Sequence, residues 1–177
     1  MSCVSMTNST YCPSFAGFTA YIPHGVPVQD TASFDDYMAQ TVSLGTTPTQ
    51  STMGDLIRNP SVFNCPGWDG TGLRYIQSTM CAYFAGMGSV YPVGSGSGTC
   101  NDGKPVTVPV CQQTMDSFKS SWDAVFSNTD FCPDGQNDAA ASLIDFVVSV
   151  RDQLSSDSST CLTAELAERE HCGYYYC

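Results

Sequence analysis

Apolar residues recur at helical spacing in four stretches of the chain, and each stretch predicts a helix. In the first, Phe34, Tyr37 and Met38 share a face, with Ser33 placed as N-cap, Asp36 in the first turn and a break at Gly45 to Pro48. In the second, Leu73, Ile76, Met80, Tyr83 and Phe84 line up behind Thr71 as cap, and Gly86 and Gly88 end the run. In the third, residues 110–126 bring Val110, Thr114, Phe118, Trp122, Val125 and Phe126 to one side. The fourth, residues 138–154, does the same with Leu143, Phe146, Val147, Val150 and Leu154, capped by Asn137 or Asp138. A shorter helix is expected over 49–58, stopping before Asn59-Pro60, and another from Thr163 to Gly173.

Between these runs the pattern changes. Phe18, Ala20 and Ile22 alternate within residues 15–28, but Pro23 and Pro27 confine that segment to an extended arm or an edge strand. Residues 105–110 also alternate around two prolines and are at best an edge strand. Tyr91 to Gly98 reads as a loop, Asn101-Asp102-Gly103 as a turn, and Ser155 to Thr160 as a polar linker. The expected fold is mainly α: a small disulfide-rich helical domain with irregular loops and at most short edge strands. Residues 1–30 form an extended N-terminal arm and residues 31–177 a helical cysteine-rich domain, together one folding unit.

Ten cysteines change the picture from a plain helical domain to an oxidised one. Cys3, Cys12, Cys65, Cys81, Cys100, Cys111, Cys132, Cys161, Cys172 and Cys177 are spread over the whole chain. No C-x-x-C pair occurs, and His24 and His171 are the only histidines, so the usual tetrahedral zinc sets are missing. The spacing suits five disulfides, whose connectivity stays open because ten thiols pair in about 945 ways. Such a count belongs to a secreted, extracellular or cell-surface compartment. Met1 is not followed by a basic start and an apolar stretch, so no leader is read in this numbering, and no apolar run is long enough to span a bilayer.

Charge removes two classes of partner. The net charge is −11, from 6 basic and 17 acidic residues, and the basic ones (Arg58, Arg74, Lys104, Lys119, Arg151 and Arg169) stand singly. Counterion release on nucleic acid and attraction to anionic lipid both need clustered cations.

The segment Cys65 to Cys81 (CPGWDGTGLRYIQSTMC) is followed by Tyr91-Pro92-Val93, then Pro109-Val110-Cys111-Gln112 opening a long helix, then Phe131-Cys132-Pro133. This order resembles the Frizzled-type cysteine-rich domain, in particular divergent versions in secreted fungal proteins, over roughly Cys12 to Gly173. The resemblance implies a small helical disulfide domain with an apolar groove for an acyl chain or peptide, and carries no groove residue over. Two family cysteines are replaced, by Gly94 and Met115, and Cys100 falls outside the family pattern, which fits the loss of one bridge or a shift in pairing.

Candidate chemistry is sparse. No G-x-S-x-G elbow occurs, His171 reads as a structural helix-end cap, and the cysteines are committed to bridges, so no catalytic residue is assigned and an enzyme is not expected. Asp130, Asp134, Asn137 and Asp138 set four oxygen ligands around a glycine, as a calcium loop does. They lack the EF-hand spacing, and the turn-plus-cap reading is preferred. Asp35-Asp36 is read as favourable charge at a helix N-terminus. No pair of carboxylates is singled out for glycoside hydrolysis. No cofactor or metal is expected. Asn8-Ser9-Thr10 is an N-glycosylation acceptor at Asn8, and loops such as Thr46 to Thr52 suit O-glycans. Tyr174, Tyr175 and Tyr176 cannot all point inward, so they are assigned to partner contact.

The preferred function is therefore a non-enzymatic, secreted structural or assembly subunit of a cell surface or extracellular fibre, with self-association and attached glycans. A Frizzled-like binding module for lipid, peptide or glycan is the alternative. A hydrolase using an unrecognised carboxylate pair comes third.

Overall fold

A computed structural model describes residues 2–42, 52–93, 98–103, 110–151, 161–165 and 168. Its strands are β1 (Ser2–Ser5) and β2 (Thr19–Ile22), paired antiparallel with Val4 opposite Ala20. Its helices are α1 (Thr31–Thr41), α2 (Met53–Arg58), α3 (Ile76–Val90), α4 (Gln112–Ser127) and α5 (Asp138–Arg151). α3 packs across β2 and also touches α4, which packs on α5, while α1 rests on β1. The result is a small disulfide-rich domain of helices with one two-stranded sheet.

The first thirty residues, read as an arm from their prolines, are built into the core. Val4, Met6, Phe15, Ala20, Ile22 and Val28 are buried in the same cluster as Phe34, Trp68, Phe84 and Trp122. The prolines do end β2, since Pro23 follows Ile22 directly. The α4 stripe is buried at all six expected positions, with Trp122 stacked on Phe126 at 4.6 Å between ring centroids. On α5, Ile144 is buried and Leu143 packs on the core. The side chains of Phe146, Val147 and Val150, and residue Leu154, lie outside the described residues, as do Gly45 to Pro48, residues 104–109 and Ser155 to Thr160.

Four disulfides cross this core: Cys3–Cys100, Cys12–Cys81, Cys65–Cys132 and Cys111–Cys161. They join residues 97, 69, 67 and 50 positions apart. Cys172 and Cys177 lie outside the described residues. Cys111 is also the N-cap of α4, and its N–H donates to the Leu162 carbonyl, so this bridge and a parallel pairing of Val110 with Leu162 lay the 161–165 segment beside the start of α4.

Three helix boundaries correct the sequence reading. The N-cap of α1 is Asp30, with Ser33 three residues on as its capping-box partner. Thr71 does not cap α3; its N–H and hydroxyl donate to Asp69, and the helix begins at Ile76. Gly86 and Gly88 lie inside α3, which runs on to Val90. At Gly88 the reason is steric: a Cβ would drive into the Thr19 carbonyl oxygen, so glycine is what allows β2 to lie against the helix.

Candidate functional site

The most concentrated polar chemistry among the described residues lies at the N-terminus of α3. Tyr75, the N-cap, sits in the left-handed region at φ 57° and makes no side-chain cap. The N–H groups of Gln77 and Ser78, in the first turn, would be orphaned donors in a buried place. A carboxylate from far along the chain satisfies them. Glu168 accepts from the Gln77 N–H at 2.6 Å, the Ser78 N–H at 2.9 Å and the Ser78 hydroxyl at 2.5 Å. Glu165 joins the same group through its backbone, whose N–H donates to the Ser78 hydroxyl oxygen at 2.7 Å. Its side chain accepts from the Ser14 hydroxyl at 2.8 Å. Gln77 completes the junction by donating its amide to the Tyr11 carbonyl at 2.5 Å.

Glu165 and Glu168 are both fully buried, at 0% exposure. Burial pushes the Glu168 carboxyl up to about 7, against the opposing pull of its hydrogen bonds to Ser78 and Gln77, and the charge of Glu165 adds to the rise. Burial also raises Glu165, opposed only by Ser14. One oxygen of Glu165 and the amide oxygen of Gln77 are buried with no hydrogen-bond partner. This is a carboxylate pair, but one closed off from solvent and engaged in holding a helix start, so no substrate reaches it without opening the fold.

Neither glutamate was singled out by sequence reasoning. A spacing of three suits an ordinary solvated helix face equally well. One signal was available: the chain holds only three glutamates, Glu165, Glu168 and Glu170, all within six positions, while every other acid is aspartate.

A second feature is an open groove of about 550 Å³ between the segment before α3 and the outer face of α4. Arg74, Gln113, Asp116, Ser117, Ser120 and Ala124 line it. Arg74 lies over the Tyr75 ring, 5.1 Å from its centroid, and its N–H donates to the Ser121 hydroxyl. Leu73 and Phe118, which would flank the apolar groove implied by the Frizzled-type resemblance, are both buried in the core.

The other candidate residues are dispersed. Asn137 caps α5 by accepting from the Ala140 N–H, and its amide donates to the Val62 carbonyl. Asp134 accepts from the Asn64 amide, and Asp138 stands in the first turn of α5. The side chains of Asp134 and Asn137 thus serve a loop contact and a cap, and no group of three His, Cys, Asp or Glu among the described residues gathers as a metal site. Asp35 accepts from the Ser9 hydroxyl, the Thr10 N–H and the Thr10 hydroxyl at 2.5 to 2.8 Å. It ties α1 to the N-terminal loop instead of serving the helix start. Asn8 is exposed on a turn. Met115, where the Frizzled-type pattern has a cysteine, is buried with its sulfur 3.8 Å from the Thr79 hydroxyl. His171 and Tyr174 to Tyr176 lie outside the described residues. No described helix is long and apolar enough to cross a membrane. Comparisons with family models, with curated proteins and with solved structures find no match.

Proposed function

We propose that the chain is a non-enzymatic, secreted module that serves as a structural or assembly subunit of a cell surface or extracellular fibre. The observation that carries this reading is the disulfide framework. Four bridges reach from β1 to the segment after α5, a density that suits an oxidising compartment and a part exposed to harsh conditions. The Glu168 carboxylate at the start of α3 is spent on capping, and the Glu165 carboxyl beside it is buried on Ser14, which favours a scaffold over a hydrolase. Asn8 on an exposed turn suits N-glycosylation. Native mass spectrometry of unreduced protein from its source, joined to analytical ultracentrifugation at micromolar concentration, tests the reading. Oligomers carrying glycan, with Asn8→Gln losing one glycan mass, are the expected result. A single monomer boundary, unchanged by calcium, defeats assembly.

A binding module on a divergent Frizzled-type domain is the second reading. The groove beside Arg74 and Asp116 supports it, and its serine-rich lining suits a peptide or glycan better than an acyl chain.

A further inference from the structure

We propose that the Glu165–Glu168 junction is an acid-stabilised latch that fastens the C-terminal segment to the start of α3 and loosens as the surroundings turn alkaline.

The geometry requires a proton there. Two glutamates at 0% exposure meet at the Ser78 hydroxyl, which accepts from the Glu165 backbone N–H while donating to the Glu168 carboxyl; the Glu165 carboxyl itself accepts from Ser14. Glu168 has three donors, and its burial still outweighs them. Glu165 has the Ser14 hydroxyl on one oxygen and nothing on the other, and the amide oxygen of Gln77 is likewise bare. Two buried negative charges, one of them with a bare oxygen, are far more costly than one, so the pair holds a proton in the folded state. No cation among the described residues is bonded to either carboxyl. Among the described residues, the charged or titratable groups at this junction are the two glutamates and, from the N-terminal loop, Tyr11, which faces Gln77 through its carbonyl. Arg74, before the start of α3, lies over the Tyr75 ring, and Arg169, next to Glu168 in sequence, lies outside the described residues.

The direction of the pH response follows. A glutamate raised from an ordinary value to about 7 stabilises the fold fully below the ordinary value, and that contribution is lost as pH climbs through about 7. What loosens is defined by the contacts: the cap of α3 and the docking of residues 161–165 and Glu168, with the Cys111–Cys161 bridge keeping the segment tethered. The chain beyond residue 168, with Cys172, Tyr174 to Tyr176 and Cys177, continues from this point.

Hydrogen exchange on the full, oxidised chain tests the latch at the Gln77 and Ser78 amides. After correction for intrinsic exchange, their opening should increase between about tenfold and a hundredfold from pH 5 to pH 8, a tenfold change corresponding to each unit of pKa difference that is traversed. Glu168→Gln should hold the same amides at a level nearly independent of pH. Equal protection of the wild type at both pH values, or an undiminished slope in Glu168→Gln, overturns the proposal. Should that variant fail to fold, glutamate-selective carboxyl labelling of the wild type decides, because only three residues report. One carboxyl titrating near neutrality supports the latch, and three titrating in the ordinary range overturn it.

Discussion

α1 and α3 begin in opposite ways. At α1 the N-cap Asp30 accepts from the Ser33 N–H while the Ser33 hydroxyl reaches back to the Asp30 backbone, a closed exchange within four residues. The cap is exposed, and the hydrogen bonds to Ser33 hold the Asp30 carboxyl below its ordinary value. At α3 the cap comes from Glu168, 91 positions beyond Gln77, is fully buried, and its carboxyl is raised. A local cap in water stays ionised and serves its helix whether or not the rest of the domain is folded. A remote cap in the core acts only once the chain has closed, and it makes the helix start depend on the segment that supplies it. α2 belongs with α1, since Thr52 and Asp55 form its capping box.

The contrast breaks most sharply at the bridge that holds the remote cap in place. Replacing Cys111 and Cys161 together by alanine reopens a loop closed over 50 positions. The expected loss is about 4 kcal/mol by loop-closure entropy, measured by urea denaturation without reductant. α3 should lose amide protection at its first turn in the same variant, while the first turn of α1 keeps it. Equal losses at both would mean that the two starts are not distinct. Glu168→Leu removes the cap and leaves the Gln77 and Ser78 N–H groups buried and unpaired, for about 3 kcal/mol at pH 6. Gly88→Ala asks whether α3 is also placed remotely along its length. Its Cβ meets the Thr19 carbonyl, a backbone atom that cannot swing away, and about 2 kcal/mol should be lost. Thr52→Ala removes a local cap and should cost about 1 kcal/mol. If its cost matched that of Glu168→Leu, the remote cap would have no special weight.

The smallest effect is one of sign. The contribution of Asp30, whose carboxyl is lowered, is present above its ordinary pKa and lost as pH falls through the lowered value. Asp30→Asn should therefore flatten the acid limb of a stability-versus-pH curve and leave the alkaline limb unchanged. Glu168→Gln should do the reverse. A variant that moved both limbs would show the two helix starts to be coupled.

Periodicity alone determined α4 almost to the residue, because an amphipathic stripe of Val110, Phe118, Trp122 and Phe126 has one way to be buried and its cap lies next to it. The cap of α5 was legible as Asn137 or Asp138, of which the structure uses Asn137, and the cysteines were legible as an oxidised framework. The pairing of those cysteines was not, since each partner lies at least 50 positions away and any two thiols look alike in sequence. The tertiary structure alone decided where α3 starts, because Thr71 has the composition of a cap and Tyr75 does not. It decided that Gly88 continues a helix it was expected to end, because the cause is the backbone of β2 pressing from outside. It also decided that Glu165 and Glu168 are buried together. A glutamate carries no mark of burial along the chain; its surroundings are set by Ser14, Gln77 and Ser78, which only folding brings within reach.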